Sequence, residues 1–513
     1  MSAAGKRITA GVFYGVSGEI LANLISFSGS IVIARLLSPE EYGQIFAVLT
    51  LPQLLAGLAN LGFGHTIVRF GSWRKWNIAI AMSITMIGIG SLFTASLLLA
   101  PNIVASTLNR PMLADYISIA SIYLIALVVS NALTAMLNAL GMFQHIALAK
   151  ITRAITRIAT SIALLLIGYG LASVLIGHVL GYGLQAALLL LFTAPQIYLV
   201  LRELGGAKIG LESFTKGFSF MIPLIAPNIV SMIISPYLNV LMIKYTDDML
   251  LGNYNVTGIF LTIISFITTM MVQSFVSGFS VTKTKSELDK AFAKSTMYAT
   301  AIIALAVSPL IFLSQPIVWT LYGPLYIHAP LMVSAASALP LAAAIGSYTV
   351  VPYYIAIGDT KRLGIIAIIA AVTSAATGTY LVMNYGVWGN IANNFIANLT
   401  FTLTALLVAF KTHGVKINPK PNLRMMAPAL ISGAAAYLIT LPLQEAYGLA
   451  ALPAYLAIYM LISPFFFREK ELQELKSLSS AIKPLKKIMA KTFDIELKIK
   501  SLKIYKYKAR PHQ

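Results

Sequence analysis

The sequence predicts an all-α polytopic membrane protein, and three observations carry that prediction. Hydrophobic residues make up 58% of the chain, charged residues only 11%, and the charges cluster between long apolar runs. A soluble domain carries roughly a quarter charged residues, so this chain has too few charges to cover a water-facing surface. Each apolar run is long enough, at about 20 residues, to cross a hydrocarbon core as a helix. Length alone would suggest about three soluble domains, but composition overrides it. There are no cysteines, which excludes disulfides, thiolate metal sites and cysteine nucleophiles.

About fourteen spans are expected, near 12–34, 43–65, 77–100, 116–140, 155–169, 171–193, 217–243, 253–279, 296–318, 330–356, 363–383, 388–410, 425–443 and 448–467. Lys6 and Arg7 precede a first run, Val12 to Ala34, that is too long for the apolar region of a cleaved signal, so it is expected to be retained as span one. The fifth span is the shortest, separated from the sixth by Gly168-Tyr169-Gly170.

Basic residues set the expected orientation. With the N-terminus in the cytoplasm, 34 of the 37 basic residues fall on the inside and only Arg35, Arg110 and Lys244 on the outside. This is the positive-inside pattern of a chain with both ends in the cytoplasm. The net charge of +20 therefore reflects membrane topology, and no nucleic-acid partner is expected. The tail from Arg468 to Gln513 carries thirteen basic and five acidic residues, with Leu472, Leu475, Leu478, Ile482, Leu485 and Met489 at three- and four-residue steps. That is one apolar stripe on a basic helix, suited to lie on anionic lipids of the inner leaflet.

The halves of the chain echo each other. Ala139-Leu140-Gly141 resembles Ala356-Ile357-Gly358, Tyr169-Gly170 resembles Tyr385-Gly386 at nearly the same offset, and Tyr42-Gly43 has a looser counterpart in Gly252-Asn253-Tyr254. Six spans separate each pair, so the halves share an orientation, as in transporters built from parallel repeats. The expected organisation is an N-lobe over 1–205, a C-lobe over 206–424, two extra helices over 425–467 and the basic tail over 468–513.

Ala34-Arg35-Leu36-Leu37-Ser38-Pro39-Glu40-Glu41-Tyr42-Gly43, followed by Leu61-Gly62-Phe63-Gly64 and Arg69-Phe70, resembles the N-terminal signature of the Wzx-type polysaccharide exporters of the MATE-like MOP superfamily. The resemblance runs from residue 1 to about 467. It implies fourteen helices in two lobes and the movement of isoprenoid-diphosphate-linked sugars across the cytoplasmic membrane, with basic residues of a central cavity holding the diphosphate. On physical grounds Ser38-Pro39-Glu40-Glu41 reads as a helix start, with both glutamates at the positive end of the helix dipole.

Polar residues inside the spans are the candidate site. Glu19 is the only acidic residue well inside a span, where a charge costs a few kcal/mol unless it faces the interior, protonates or pairs. Arg157 is its expected partner by depth. Glu19 continues into Asn23, Ser26 and Ser30, and span seven carries Asn228, Ser231, Ser235 and Asn239. Both sets follow helical spacing and would line one face of their helix, as a cavity between two lobes requires; hydrogen bonding between helices is the alternative. Lys150, Arg153 and Arg157 share one face at the inner end of span five and are candidates for a lipid phosphate, with anchoring as the alternative. Glu19 is the candidate for coupling to H+ or Na+. His178 is expected to be a structural hydrogen-bonding group rather than a proton site. Tyr348, Tyr353 and Tyr354 could stack on sugars or fill a helix interface.

The expected function is a transporter that flips a polyprenyl-(di)phosphate-linked oligosaccharide. A MATE-type drug or organic-cation antiporter is the second transporter reading, but it usually has twelve helices. A membrane glycosyltransferase or polymerase is the enzymatic alternative. Its catalysts would need a large outer loop, and the outer loops here are short. No phosphate-binding loop, zinc-protease or nucleophile-elbow string occurs, so no cofactor or nucleotide is expected.

Overall fold

The computed structural model describes residues 3–203, 209–225, 229–415, 418–441 and 448–479. It is helical, with no strand among the described residues. In chain order the helices are α1 (Ala3–Leu36), α2 (Pro39–Ala59), α3 (Phe63–Ser72), α4 (Trp76–Leu99), α5 (Pro101–Thr107), α6 (Ala114–Ala139), α7 (Phe143–Leu166), α8 (Leu171–Glu203), α9 (Leu211–Ile225) and α10 (Ile229–Tyr245). There follow α11 (Asp248–Ser280), α12 (Lys285–Phe312), α13 (Ser314–Tyr322), α14 (Ala329–Ala343), α15 (Ser347–Ala356), α16 (Thr360–His413), α17 (Pro419–Thr440), α18 (Ala451–Phe466) and α19 (Glu469–Ser479).

Ten helices among the described residues are long and apolar enough to cross a membrane, and some expected spans, such as 296–318 and 330–356, are each divided between two helices. The chain is therefore a multi-pass membrane protein. The 54-residue α16 is two helices joined at Gly386, whose φ of 54° and ψ of −127° break the helical path. Helix α7, which carries Lys150, Arg153 and Arg157, is not among the ten. It begins at Phe143 rather than near 155, because those three residues face neighbouring helices and the helix continues through them.

The sequence echoes correspond to matched backbone. Gly141 and Gly358 have φ of 71° and 77°, and Gly170 and Gly386 have φ of 52° and 54°. These left-handed values are open to glycine at little cost, which is why the same residue recurs at the same turns of both halves.

The chain divides into two compact units, residues 1–255 with 375–390, and residues 256–374 with 391–513. In the first, α4 and α6 form the centre of a core that includes Met82, Met86, Leu124 and Val128, and Gly90 lets α4 lie against Val128. The expected helix start at α2 is present. Ser38 accepts from the Glu41 amide at 3.2 Å while the Glu41 carboxylate accepts from the Ser38 amide at 2.8 Å, the reciprocal cap that satisfies two free amides of a first turn.

In the second unit α12 is central. Pro309 has no N–H, so the carbonyl of Leu305 loses its helical partner, a costly vacancy in an apolar layer. The hydroxyl of Tyr455 on α18 donates to that carbonyl at 3.0 Å. Ser308 of α12 donates to the Ala429 carbonyl of α17 at 2.7 Å, and Gly433 of α17 makes room for Ser308 and Phe312. Tyr353 and Tyr354 are fully buried, donating to Asp289 and to the Ala405 carbonyl, and Tyr348 packs against the core. Of the two roles open to these tyrosines, Tyr353 and Tyr354 take the helix interface. Helix α19 begins the tail. Leu472 is buried in the core of this unit rather than against lipid, while Glu471 pairs with Arg424 and Glu474 with Lys294. Leu475 and Leu478 of the expected stripe fall on α19, and Ile482, Leu485 and Met489 lie outside the described residues.

Tyr455→Phe removes only the donor that completes Leu305. It should lower stability by about 1–3 kcal/mol, read as a fall in the thermal unfolding midpoint in detergent, whereas Tyr437→Phe on α17 should not.

Candidate functional site

The candidate site is built by α7 packed between α1 and α8. Gly18 lies against Ala147, and Gly29 against Ile158. Both steps are eleven residues, so α1 and α7 run parallel in constant register. A glycine at each crossing allows the close approach that membrane helices use for association. Gly177 and Gly181 of α8 do the same on the other side, lying against the backbone of Arg157 and Arg153 respectively. The side chains that follow these glycines are thereby brought to the basic face of α7.

The register decides who pairs with Glu19. The next residue after Gly18 is Glu19, and three residues after Ala147 is Lys150, whose ammonium pairs with the Glu19 carboxylate. The expected pairing with Arg157 is therefore corrected. Arg157 lies ten residues beyond Ala147, about 15 Å farther along the helix. The Glu19–Lys150 pair is partly open, with side-chain exposures of 38% and 27%.

Arg157 turns instead to α8, where its guanidinium approaches Nε2 of His178 at 3.2 Å. Nδ1 of His178 lies 2.8 Å from the Val174 carbonyl. A carbonyl only accepts, so Nδ1 donates and Nε2 offers its lone pair to Arg157, which makes the imidazole neutral. His178 is then the structural hydrogen-bonding group that was expected. Arg153 sits 4.8 Å over the ring of Tyr182 and donates to Gln185 at 3.3 Å. Tyr123 of α6 closes the cluster, 5.0 Å from Tyr182 and 5.4 Å from His178. Among the described residues neither arginine forms an ion pair, in contrast to Lys150. Both are held by neutral groups. Because α7 is longer than its apolar run, Arg157 also stands just past the middle of this 24-residue helix rather than at its inner end.

The other candidates are less gathered. On α1, Asn23, Ser26 and Ser30 are half-buried, and Ser30 donates to the Phe27 carbonyl of its own helix at 2.7 Å. On α10, Ser235 is exposed and Asn239 half-buried. Asn228 and the side chain of Ser231 lie outside the described residues. Tyr123, Tyr182 and Gln185 were not foreseen from sequence. Their signal was the Gly177-His178-Val179-Leu180-Gly181 spacing, which marks α8 as a helix that approaches a neighbour closely.

This architecture is shared with membrane transporters of the MOP superfamily. An inward-closed structure titled as the lipid II flippase MurJ superposes with a TM-score of 0.69 at 18% identity, covering 89% of this chain and 99% of that one. An inward-facing MATE-family multidrug transporter superposes at 0.58 with 15% identity, covering 75% and 94%, and an outward-facing one at 0.51 with 16% identity, covering 80% and 96%. No curated protein matches the sequence. Residues 32–330, more than half of the chain, match the family described as polysaccharide biosynthesis protein, and the chain belongs to that family.

The two sides of α7 differ in what their contacts contribute. A thermodynamic cycle of Glu19→Gln with Lys150→Met should give a coupling below about 1 kcal/mol, as for a partly exposed pair. A cycle of His178→Leu with Arg157→Met should give about 1.5–3 kcal/mol, as for a buried hydrogen bond to a charge. Thermal unfolding in detergent measures both; equal couplings would contradict the assignment.

Proposed function

We propose that this protein flips a polyprenyl-(di)phosphate-linked oligosaccharide from the cytoplasmic to the outer leaflet, by alternating access between two lobes, for assembly of a cell-surface polysaccharide or glycoprotein glycan. The observation that carries the proposal is the pair Arg153 and Arg157: two cations on a helix within the bundle, held by neutral partners and, among the described residues, without a carboxylate. A cation in such surroundings costs a few kcal/mol, and an anion of matching shape offsets that cost. A diphosphate fits, because a guanidinium donates two parallel hydrogen bonds to phosphate oxygens. Membership in a polysaccharide biosynthesis family and the fold shared with a protein titled as a lipid II flippase support a lipid-linked sugar as the cargo.

Lys150 and Glu19 fit as the first station. An arriving phosphate competes with Glu19 for the Lys150 ammonium, and the carboxylate it releases is left open to a coupling cation, H+ or Na+. Binding of cargo and ion would then be linked, as coupled transport requires. The half-buried Asn23, Ser26 and Ser30 continue along α1 from Glu19, and with Asn228, Ser231, Ser235 and Asn239 of the seventh span they are proposed to line the cavity for the sugar. Fourteen spans with both ends in the cytoplasm, an N-lobe over 1–205 and a C-lobe over 206–424 complete the reading, with anionic lipids engaged by the basic tail.

The test is flipping of a fluorescent polyprenyl-diphosphate oligosaccharide in proteoliposomes across a pH series. Arg153→Ala with Arg157→Ala should lower the rate at least about tenfold, the loss expected when charge-assisted hydrogen bonds disappear, with insertion unchanged. Glu19→Gln should keep the fold and flatten the pH dependence. Wild-type rates in the double arginine variant would return these residues to anchoring, and export of an organic cation in place of the lipid would favour a drug antiporter.

A further inference from the structure

The end of the first unit where α1 finishes holds a cluster that the proposed transport site does not use. There the first turns of α2 and α11 cross. A β-carbon at Gly43 would sit on the Asp248 carbonyl, and one at Gly252 would sit on the Pro39 carbonyl. The two contacts exchange under a local two-fold: each glycine lies four residues after the carbonyl that its partner meets. This is the looser of the sequence echoes, and it places equivalent points of the two halves against each other with only backbone between them.

Beside this crossing lies the most buried ion pair among the described residues. Arg110, from the turn after α5, donates through Nε to Asp248 at 2.5 Å, and the two side chains are 6% and 14% exposed. Its Nη2 donates to the Thr246 carbonyl at 2.6 Å, and Nη1 reaches the carbonyls of Leu108 and Ile243. The second oxygen of Asp248 accepts from Gln44 of α2 at 3.1 Å. Asn109 donates to the Lys244 carbonyl at 3.4 Å, and Gly386, at the break of α16, lies against Thr246. One arginine and one aspartate thus tie two elements of the expected N-lobe, α2 and the turn before α6, to the turn between α10 and α11, where the expected C-lobe begins its second span.

We propose that Arg110, Asp248 and Gln44 form the latch that keeps the outer end closed, and that the latch opens during transport. This rests on the alternating-access reading above, in which the halves part on the outer side. The chemistry distinguishes the joint from a permanent seam. Where α1 meets α7, the crossings at Gly18 and Gly29 are apolar, and opening them would expose apolar surface to water. At the latch nearly every group is a charge, a carbonyl or an amide. Burying the two ions costs several kcal/mol each, which their attraction only about offsets. When the outer end opens, water replaces each bond it breaks. Closed and open states therefore lie close in free energy, the condition under which a bound cargo shifts the balance between them.

The chain has no cysteine, so a pair of spin labels reads the joint without background. Labels at Glu40→Cys and Tyr385→Cys occupy exposed positions beside Pro39 and Gly386. In detergent and without any cargo, the unlatched population should be minor in the otherwise native chain. Asp248→Asn and Arg110→Gln should each raise the ratio of long to short distances at least about tenfold, and Gln44→Leu less. Thermal midpoints within a few degrees of the parent should show that each variant is folded. Unchanged distances in folded variants overturn the latch. Aggregation of all three also overturns it, because a joint required for folding is not a gate. The measurement uses no substrate, so loss of flipping with a working latch counts against the cargo and not against the joint.

Discussion

Inside a hydrocarbon layer a helix gains little by burying apolar side chains against a neighbour, since lipid is as apolar as leucine. Helices must hold one another by close contact, and close contact requires small residues at the crossing. That constraint organises this protein. Gly18 and Gly29 set the register of α1 on α7, Gly177 and Gly181 bring α8 onto the backbone of the same helix, and Gly433 admits Ser308 and Phe312 between α12 and α17. Each crossing fixes which polar side chains meet. Glu19 finds Lys150, and not Arg157, because the glycine before it rests on Ala147.

The same solvent imposes a second demand, that no backbone or side-chain polar group be left bare. The structure meets it locally. Tyr455 covers the carbonyl exposed by Pro309, His178 joins a carbonyl of its own helix to Arg157, and Thr296 and Thr349 share a hydrogen bond of 2.7 Å between α12 and α15. Against this background two departures stand out. Arg153 and Arg157 are cations completed by neutral groups, and Arg110 with Asp248 is an ion pair placed where apolar packing would have served a static fold.

In the flipping reading proposed above, an anionic carrier needs a place within helices that otherwise exclude charge, and the basic face of α7, lined by Tyr182 and a neutral imidazole, is the place proposed for it. It keeps the guanidinium groups oriented, as rings and amides do, without cancelling their charge, as a carboxylate would.

The sequence by itself determined the fold class and the multi-pass membrane character. Apolar runs of membrane length, charges confined to the ends of helices, and glycines at repeated turns are all local properties, and each is written in consecutive residues. It also marked Glu19 as exceptional, since a charge within an apolar helix is visible without a structure, and it grouped Lys150, Arg153 and Arg157 on one face, while only the structure placed Arg157 past the middle of its helix. Partners were a different matter. Which cation meets Glu19 depends on how far one helix slides along another, and that register is fixed by which glycine meets which side chain of a distant segment. The role of Gly43 was likewise hidden: beside Pro39 it reads as part of a turn, and only the crossing with Gly252, more than two hundred residues away, gives it a reason. Arg110 looked like one of three stray outer charges until the tertiary structure brought Asp248 and three backbone carbonyls, those of Leu108, Ile243 and Thr246, around it. Periodicity along one helix decides what faces inward, but the meeting of two faces is decided by packing between helices, and that is a property of the folded chain alone.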